Sequence, residues 1–414
     1  MSSRLRPMAE RYRRPDWVRR VNAMADSVGG DARRIVPLDG ATLLAEAEGS
    51  LGGEPPHGDF GDPAWRERFT KLVHALDAAP MHVVGRLMTR QELLRAARTR
   101  LQSIRAVEAH PEIERARVLA PVVVTGPARS GTTILFELLA LDPDLRAPTA
   151  WRALHPLPPT DDAGARLAWS ECEQELWADV QPEFAAMHEL RSDLPVECVT
   201  LTIPSFAGPH WMMVAQLAGE WMPDTDLMYD FHRRILQVMQ HGAAPQTWLL
   251  KTPGHLMSLE QLFATYPDAW VVQTHRDPAK TMPSTVSITA LVQWMRTDGV
   301  DVDVLAEVIR STFTYGLNHS VELRTSGPFA DRFVDVHFDH LMRDPVAAVA
   351  DAYERMGRRV TTAHADAIRA YLREKPKGKF GVHQYAPEDW GFTAESLRAE
   401  LAPYVTHFGV ALES

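Results

Sequence analysis

The chain has 414 residues, 45% hydrophobic and 24% charged, which is ordinary for a globular protein and enough for one large domain or two. A net charge of −10 argues against a protein whose main business is coating nucleic acid, while leaving room for a local basic pocket. Two cysteines, Cys172 and Cys198, exclude a disulfide framework and suggest a reducing, cytoplasmic setting.

The basic N-terminus, "MSSRLRPMAERYRRPDWVRR", has no apolar core behind it, so it does not read as a secretory signal. Its first reading is a solvated, partly helical arm; peripheral contact with a membrane or a partner is the second. The stretch "GSLGGEPPHGDFGDP" reads as an exposed loop. From Trp65 to about Arg117, apolar residues recur at three- and four-residue steps, which predicts helices. Residues 1–118 are therefore assigned to an N-terminal arm and helical extension, and 119–414 to an α/β domain.

Within the second part, Val122–Val124 is the first buried-strand signal, followed by a loop and a helix to about Leu141. Residues 165–242 look mostly helical and are rich in Trp and Met. Further apolar runs follow at "TWLLKTP", "AWVVQTHRDP" and "RFVDVHFDHL". Short apolar runs alternating with helices predict a largely parallel sheet covered on both faces. Ligands in such sheets sit beyond the carboxyl ends of the strands. Three strand candidates end in polar clusters, GPARSGTT, KTPGH and THRDP, which would converge on one crevice. No apolar run reaches membrane-spanning length.

Gly126 and Gly131 have the G-x-x-x-x-G spacing of a phosphate-binding loop. Glycines allow a tight turn that aims N–H groups inward, and a following helix presents its positive end to an anion. The lysine expected after the second glycine is absent and Thr132 stands there, which weighs against ATP or GTP chemistry. Arg129 supplies a charge from within the loop instead.

"GPARSGTT" resembles the 5′-phosphosulfate loop of sulfotransferases that use 3′-phosphoadenosine 5′-phosphosulfate (PAPS). The resemblance implies a P-loop-like parallel-sheet fold and a donor site built from Arg129, Ser130, Gly131, Thr132 and Thr133. "THRDPAKTMPSTVS" is similar to the family's 3′-phosphate site, with Arg276 at a strand end and Ser284 eight residues later. A planar guanidinium can grip phosphate oxygens bidentately. "WLLKTPGHL" resembles the segment in which a lysine contacts the transferring group and a histidine is the base; this implies Lys251 and His255, with Pro253 and Gly254 as an insertion. "KPKGKFGVHQY" resembles the segment closing over the 3′-phosphate, implying Lys377, Gly378 and Lys379. Ile134 stands where many members place an adenine-stacking Trp, so adenine must be held differently.

Glu197 is the rival base, since it resembles the carboxylate base of bacterial and carbohydrate sulfotransferases; its bland reading is an ion pair with Arg191. Trp211, Met212, Trp221 and Tyr229 are the expected acceptor-pocket residues, for a hydroxyl on an apolar small molecule or lipid such as a quinone, sterol or polyketide. No metal is required: the histidines are scattered and the cysteines lack zinc spacing. The alternatives are a P-loop kinase or NTPase, which needs a metal, and a non-catalytic nucleotide-binding protein of the same fold.

Overall fold

The computed structural model describes residues 5–51, 60–62, 64–157, 162–217, 221–375 and 386–413. Five parallel strands form one sheet: β1 (Val122–Thr125), β2 (Leu145–Arg146), β3 (Thr247–Lys251), β4 (Trp270–His275) and β5 (Phe333–His337), in the order β2-β3-β1-β4-β5. Val123 of the central strand lies opposite Leu250 on one side and Val271 on the other. Each of the longer strands carries a short apolar run, as expected where both faces are covered. Alternate residues serve different cores: Val123, Leu250 and Val271 join the larger one, while Val122, Val124, Leu249 and Val272 join the second.

Helices α1 (Ala64–Ala78) and α2 (Val83–Ala109) precede the sheet, and α3 (Thr132–Leu139) follows β1. Helix α4 (Thr225–Gln240) leads into β3, α5 (Pro278–Trp294) follows β4, and α6 (Val302–Ser326) leads to β5. Helix α7 (Pro345–Arg355) and α8 (Thr362–Glu374) follow β5. The second core contains Leu135, Phe136, Val349 and Ile368, so α3, α7 and α8 cover one face. The larger core holds α4, α5 and α6 together with Leu72, Leu76, Leu93 and Leu101 of α1 and α2. Residues before 119 thus share their apolar core with the sheet.

The extreme N-terminal stretch departs from the expected solvated arm. Met8 and Val18 are buried, and the Arg14 guanidinium stacks 3.7 Å from the Trp294 ring centre. Arg14 also donates to the Thr297 carbonyl at 2.8 Å and to Asp298 at 2.9 Å. Arginine stems and planar heads cover apolar surface readily, so basic residues here pack rather than float. A buried ion pair, Arg296 to Glu92 at 2.7 Å, ties the chain just after α5 to α2. Burial raises the Glu92 carboxyl, yet Arg296 and His210 outweigh it and hold the group down at about 2.

The carboxyl ends of β3, β1 and β4 are adjacent, which brings their three polar clusters to one sheet edge. Asp277 starts α5 by accepting the Ala279 N–H at 3.0 Å, with Pro278 at the first helical position.

Candidate functional site

The loop after β1 has three left-handed or extended-positive residues: Gly126 at φ +135°, Arg129 at +67° and Gly131 at +91°. A Cβ on Gly126 would meet Thr274 Oγ1 at 2.3 Å and the Thr274 carbonyl at 2.7 Å, so glycine alone lets the chain leave β1 against β4. Ser130 is spent on the loop itself: its buried hydroxyl donates to the Pro127 carbonyl at 2.5 Å and meets Thr274 Oγ1 at 2.5 Å. Helix α3 then begins at Thr132 behind Gly131, with no side-chain cap on its first turn among the described residues. That leaves a partial positive charge at the point where Thr133 is exposed.

A lysine on the neighbouring strand reaches the loop. Lys251, the last residue of β3 and 2% exposed, donates from Nζ to Thr133 Oγ1 at 3.0 Å. It also forms a tight ion pair with Glu197, whose other oxygen accepts from the Thr252 hydroxyl at 3.1 Å. His188 Nε2 lies 3.7 Å from the same carboxylate. Burial raises the Glu197 carboxyl, but the Lys251 charge and His188 override it and hold it far below the usual carboxylate range. Glu197 does not pair with Arg191, which instead grips Asp193 at 3.0 and 2.6 Å.

His255 sits in the short turn after β3, 2% exposed. Its Nδ1 shares a 2.6 Å hydrogen bond with the Tyr229 hydroxyl, which lies 3.3 Å from Ser258 Oγ. Its Nε2 is buried without a protein partner among the described residues. Burial lowers the imidazole to about 3, against a smaller upward pull from Glu197, so the ring is neutral near pH 7. His232, 5.9 Å away between ring centres, is lowered to about 3 for the same main reason.

On the other flank, Arg276 follows β4. Its Nη1 donates to the Arg129 carbonyl at 2.7 Å, and its guanidinium lies 3.8 Å from the Phe338 ring centre. Its Nε and Nη2 donate to the two oxygens of Glu413 at 2.6 and 2.8 Å. The loop therefore touches both outer cations, Lys251 through Thr133 and Arg276 through Arg129, while the Arg129 side chain is exposed. Ser284 is buried in the second turn of α5, directly after Pro283.

All four expected acceptor residues belong to the larger core or pack on it. Tyr229 is buried there and also hydrogen-bonds His255, and Met212 is half-buried. Trp211 and Trp221 lie in the larger core; Trp211 stacks on Phe206 with ring centres 6.0 Å apart at 11°. Lys377, Gly378 and Lys379 lie outside the described residues. Just before them, Lys375 is anchored to Glu137 of α3 at 2.8 Å and to Glu189 at 2.7 Å. Sequence reasoning missed Glu413, Phe338 and the pairing of Glu197 with Lys251, none of which leaves a local signal.

A parallel sheet with a glycine loop and an uncapped helix start at its central strand defines an α/β protein of the phosphate-loop type. The family model described as "Sulfotransferase family" matches residues 121–362, and the chain belongs to that family. This membership displaces the kinase alternative. Omega-hydroxy-beta-dihydromenaquinone-9 sulfotransferase Stf3 of Mycobacterium tuberculosis (strain CDC 1551 / Oshkosh) is 22% identical over 279 residues, 65% of this chain and 70% of that protein. The crystal structure of sulfotransferase STF9 from Mycobacterium avium is similar with a TM-score of 0.79 and 26% identity, covering 91% of this chain and 98% of that one. Sulfotransferase STF1 from Mycobacterium tuberculosis H37Rv gives a TM-score of 0.68 and 27% identity, covering 87% and 98%. No helix among the described residues is long and apolar enough to cross a membrane.

Proposed function

We propose that the protein moves a sulfuryl group from PAPS to a hydroxyl of an apolar small-molecule or lipid acceptor. The observation that carries this reading is the pair of cations bracketing one loop: Lys251 on Thr133 and Arg276 on the Arg129 carbonyl. A donor with phosphate at both ends of its ribose needs two separated anion sites. The uncapped start of α3, Thr132, Thr133, Arg129 and Lys251 suit the 5′ side. Arg276, with Ser284, suits the 3′-phosphate. Lys377, Gly378 and Lys379 are proposed as further donor contacts on the resemblance alone.

The donor supplies the sulfuryl group and a phosphate leaving group. The chain must hold the acceptor oxygen in line, take its proton, and stabilise charge on the departing oxygen. Lys251 is suited to the last task; one such preorganised donor is worth about 3–4 kcal/mol. For the proton, His255 is favoured over Glu197. Both carboxylate oxygens of Glu197 are engaged, by Lys251 and Thr252, whereas His255 keeps a buried Nε2 without a partner among the described residues. If Nδ1–H donates to Tyr229, Nε2 carries the lone pair. Glu197 then serves to position Lys251. The acceptor class draws on the half-buried Met212 and on the relative named for a menaquinone-derived acceptor.

Three measurements test the reading. Calorimetric titration should give tighter binding of 3′,5′-ADP than of ADP, with the preference lost in Arg276→Ala. Mass analysis of hydroxylated metabolites incubated with PAPS and enzyme should show products that gain a sulfonate. His255→Ala should cut turnover by about 10²–10⁴-fold while leaving 3′,5′-ADP affinity within twofold of wild type. Full turnover in that variant would remove His255 from the mechanism, and absence of sulfonated product from every hydroxylated class would remove the enzyme reading.

A further inference from the structure

The Arg276 fork proposed for the 3′-phosphate is already filled by the chain itself. Glu413 presents both carboxylate oxygens to Nε and Nη2, the same edge that a phosphate would use. We propose that Glu413 is an internal ligand of this subsite, exchanging with the 3′-phosphate so that it weakens donor binding and speeds loss of the doubly phosphorylated product. The inference rests on the PAPS reading.

Three features suit exchange. The pair is partly solvated, with side chains 16% and 33% exposed, so separating it does not strand a charge in a dry interior. The tail has anchors besides the carboxylate: the Glu413 N–H donates to Asp277 at 2.8 Å, and Arg398 donates to the Glu413 carbonyl at 2.6 Å. The side chain can therefore turn away while the backbone stays. Arg276 also keeps its Nη1 bond to the Arg129 carbonyl, so the guanidinium remains oriented through the swap. A phosphate dianion outcompetes a carboxylate on this fork; a nucleotide without the 3′-phosphate has no reason to enter it.

Titration of the full chain with 3′,5′-ADP and with ADP tests this in wild type and Glu413→Gln. The variant should bind 3′,5′-ADP about tenfold more tightly and release it correspondingly more slowly, with ADP affinity unchanged. Unaltered or weaker 3′,5′-ADP binding in Glu413→Gln overturns the proposal and leaves the donor reading standing. Equal tightening of ADP overturns it too, since the effect would then be general electrostatics. A wild type that binds ADP as well as 3′,5′-ADP defeats the donor reading and this proposal together.

A second inference stands on a separate cluster. His110, Glu112 and His241 place three ligand atoms within 4.8 Å of one another, a grouping that the scattered histidines of the sequence conceal. Glu112 Oε1 is 3.3 Å from His110 Nδ1 and 3.8 Å from His241 Nε2. Tetrahedral zinc with bonds of about 2.0–2.2 Å sets its ligand atoms about 3.3–3.6 Å apart, so these exposed side chains need only small rotamer shifts to close on an ion. The two contributing segments are clamped together: Gln237 donates to the Glu114 and Ala116 carbonyls at 2.9 and 2.7 Å, and Gln240 to the Arg117 carbonyl at 3.2 Å. We infer that these residues form a zinc-class site joining the ends of α2 and α4. Calorimetry with zinc chloride on the full chain should show one equivalent bound, weakened at least about tenfold in His241→Ala and in Glu112→Gln. Because the chain has 17 histidines, binding that both variants leave unchanged belongs elsewhere and overturns the assignment.

Discussion

The two cations that flank the loop are each matched by a carboxylate, yet the pairs are built differently. Lys251, 2% exposed, meets the half-buried Glu197, on a strand end and the residue before a short helix, with Thr133 and Thr252 completing the network. Arg276 and Glu413 meet at the rim, where solvent reaches both. An interior pair cannot be opened without desolvation cost, whereas a rim pair trades partners cheaply. Lys251 is therefore the costlier cation to unpair and Arg276 the cheaper one.

The sharpest way to break this contrast is at Lys251. Lys251→Met leaves the half-buried Glu197 without its counter-charge; turnover should fall about 10²–10³-fold and stability by about 1–3 kcal/mol. Adding Glu197→Gln should restore most of the stability, read by urea denaturation, and none of the turnover. Recovery of activity in the double variant would mean that Lys251 only balances charge. At the rim, Arg276→Ala should weaken 3′,5′-ADP about 10–100-fold while changing stability by no more than about 1 kcal/mol. A loss as large as at Lys251 would erase the distinction.

The buried titratable groups make stability depend on pH. Burial lowers His82, His232 and His255 to about 3 each. These rings are neutral in the folded state but titrate near 6.5 when unfolded, so protons bind the unfolded chain preferentially below that point. Stability is whole above about pH 6.5 and declines as pH falls toward 3, by up to about 1.4 kcal/mol per pH unit for each ring. Glu92, Glu197 and Asp335, held below their usual range, add losses in the same direction at more acidic pH. Urea midpoints at pH 7.5 and 5.5 should differ, and His232→Gln should narrow the gap. An identical midpoint at both values would show that the rings are hydrated.

Much of the frame is legible in the sequence because buried parallel strands are nearly pure apolar runs ended by polar clusters. That holds for Val122–Thr125, Thr247–Lys251 and Trp270–His275. The two-residue strand Leu145–Arg146 is too short to show any period. The N-terminal arm misleads because its arginines look solvent-facing, while Arg14 lies on Trp294, 280 positions away in sequence. Within the site, residue types were readable but partners were not. Nothing near Arg276 announces Glu413, and the sequence neighbours of Glu197 point to Arg191 rather than Lys251.

The bond from Arg276 to the Arg129 carbonyl has a mechanical meaning. Arg129 carries the one left-handed non-glycine backbone between Gly126 and Gly131, and a side chain from the far flank braces it. This direct bond thus helps fix the backbone of the loop at Arg129. Substitutions at the two ends should then combine non-additively, each altering how well the other end grips its anion.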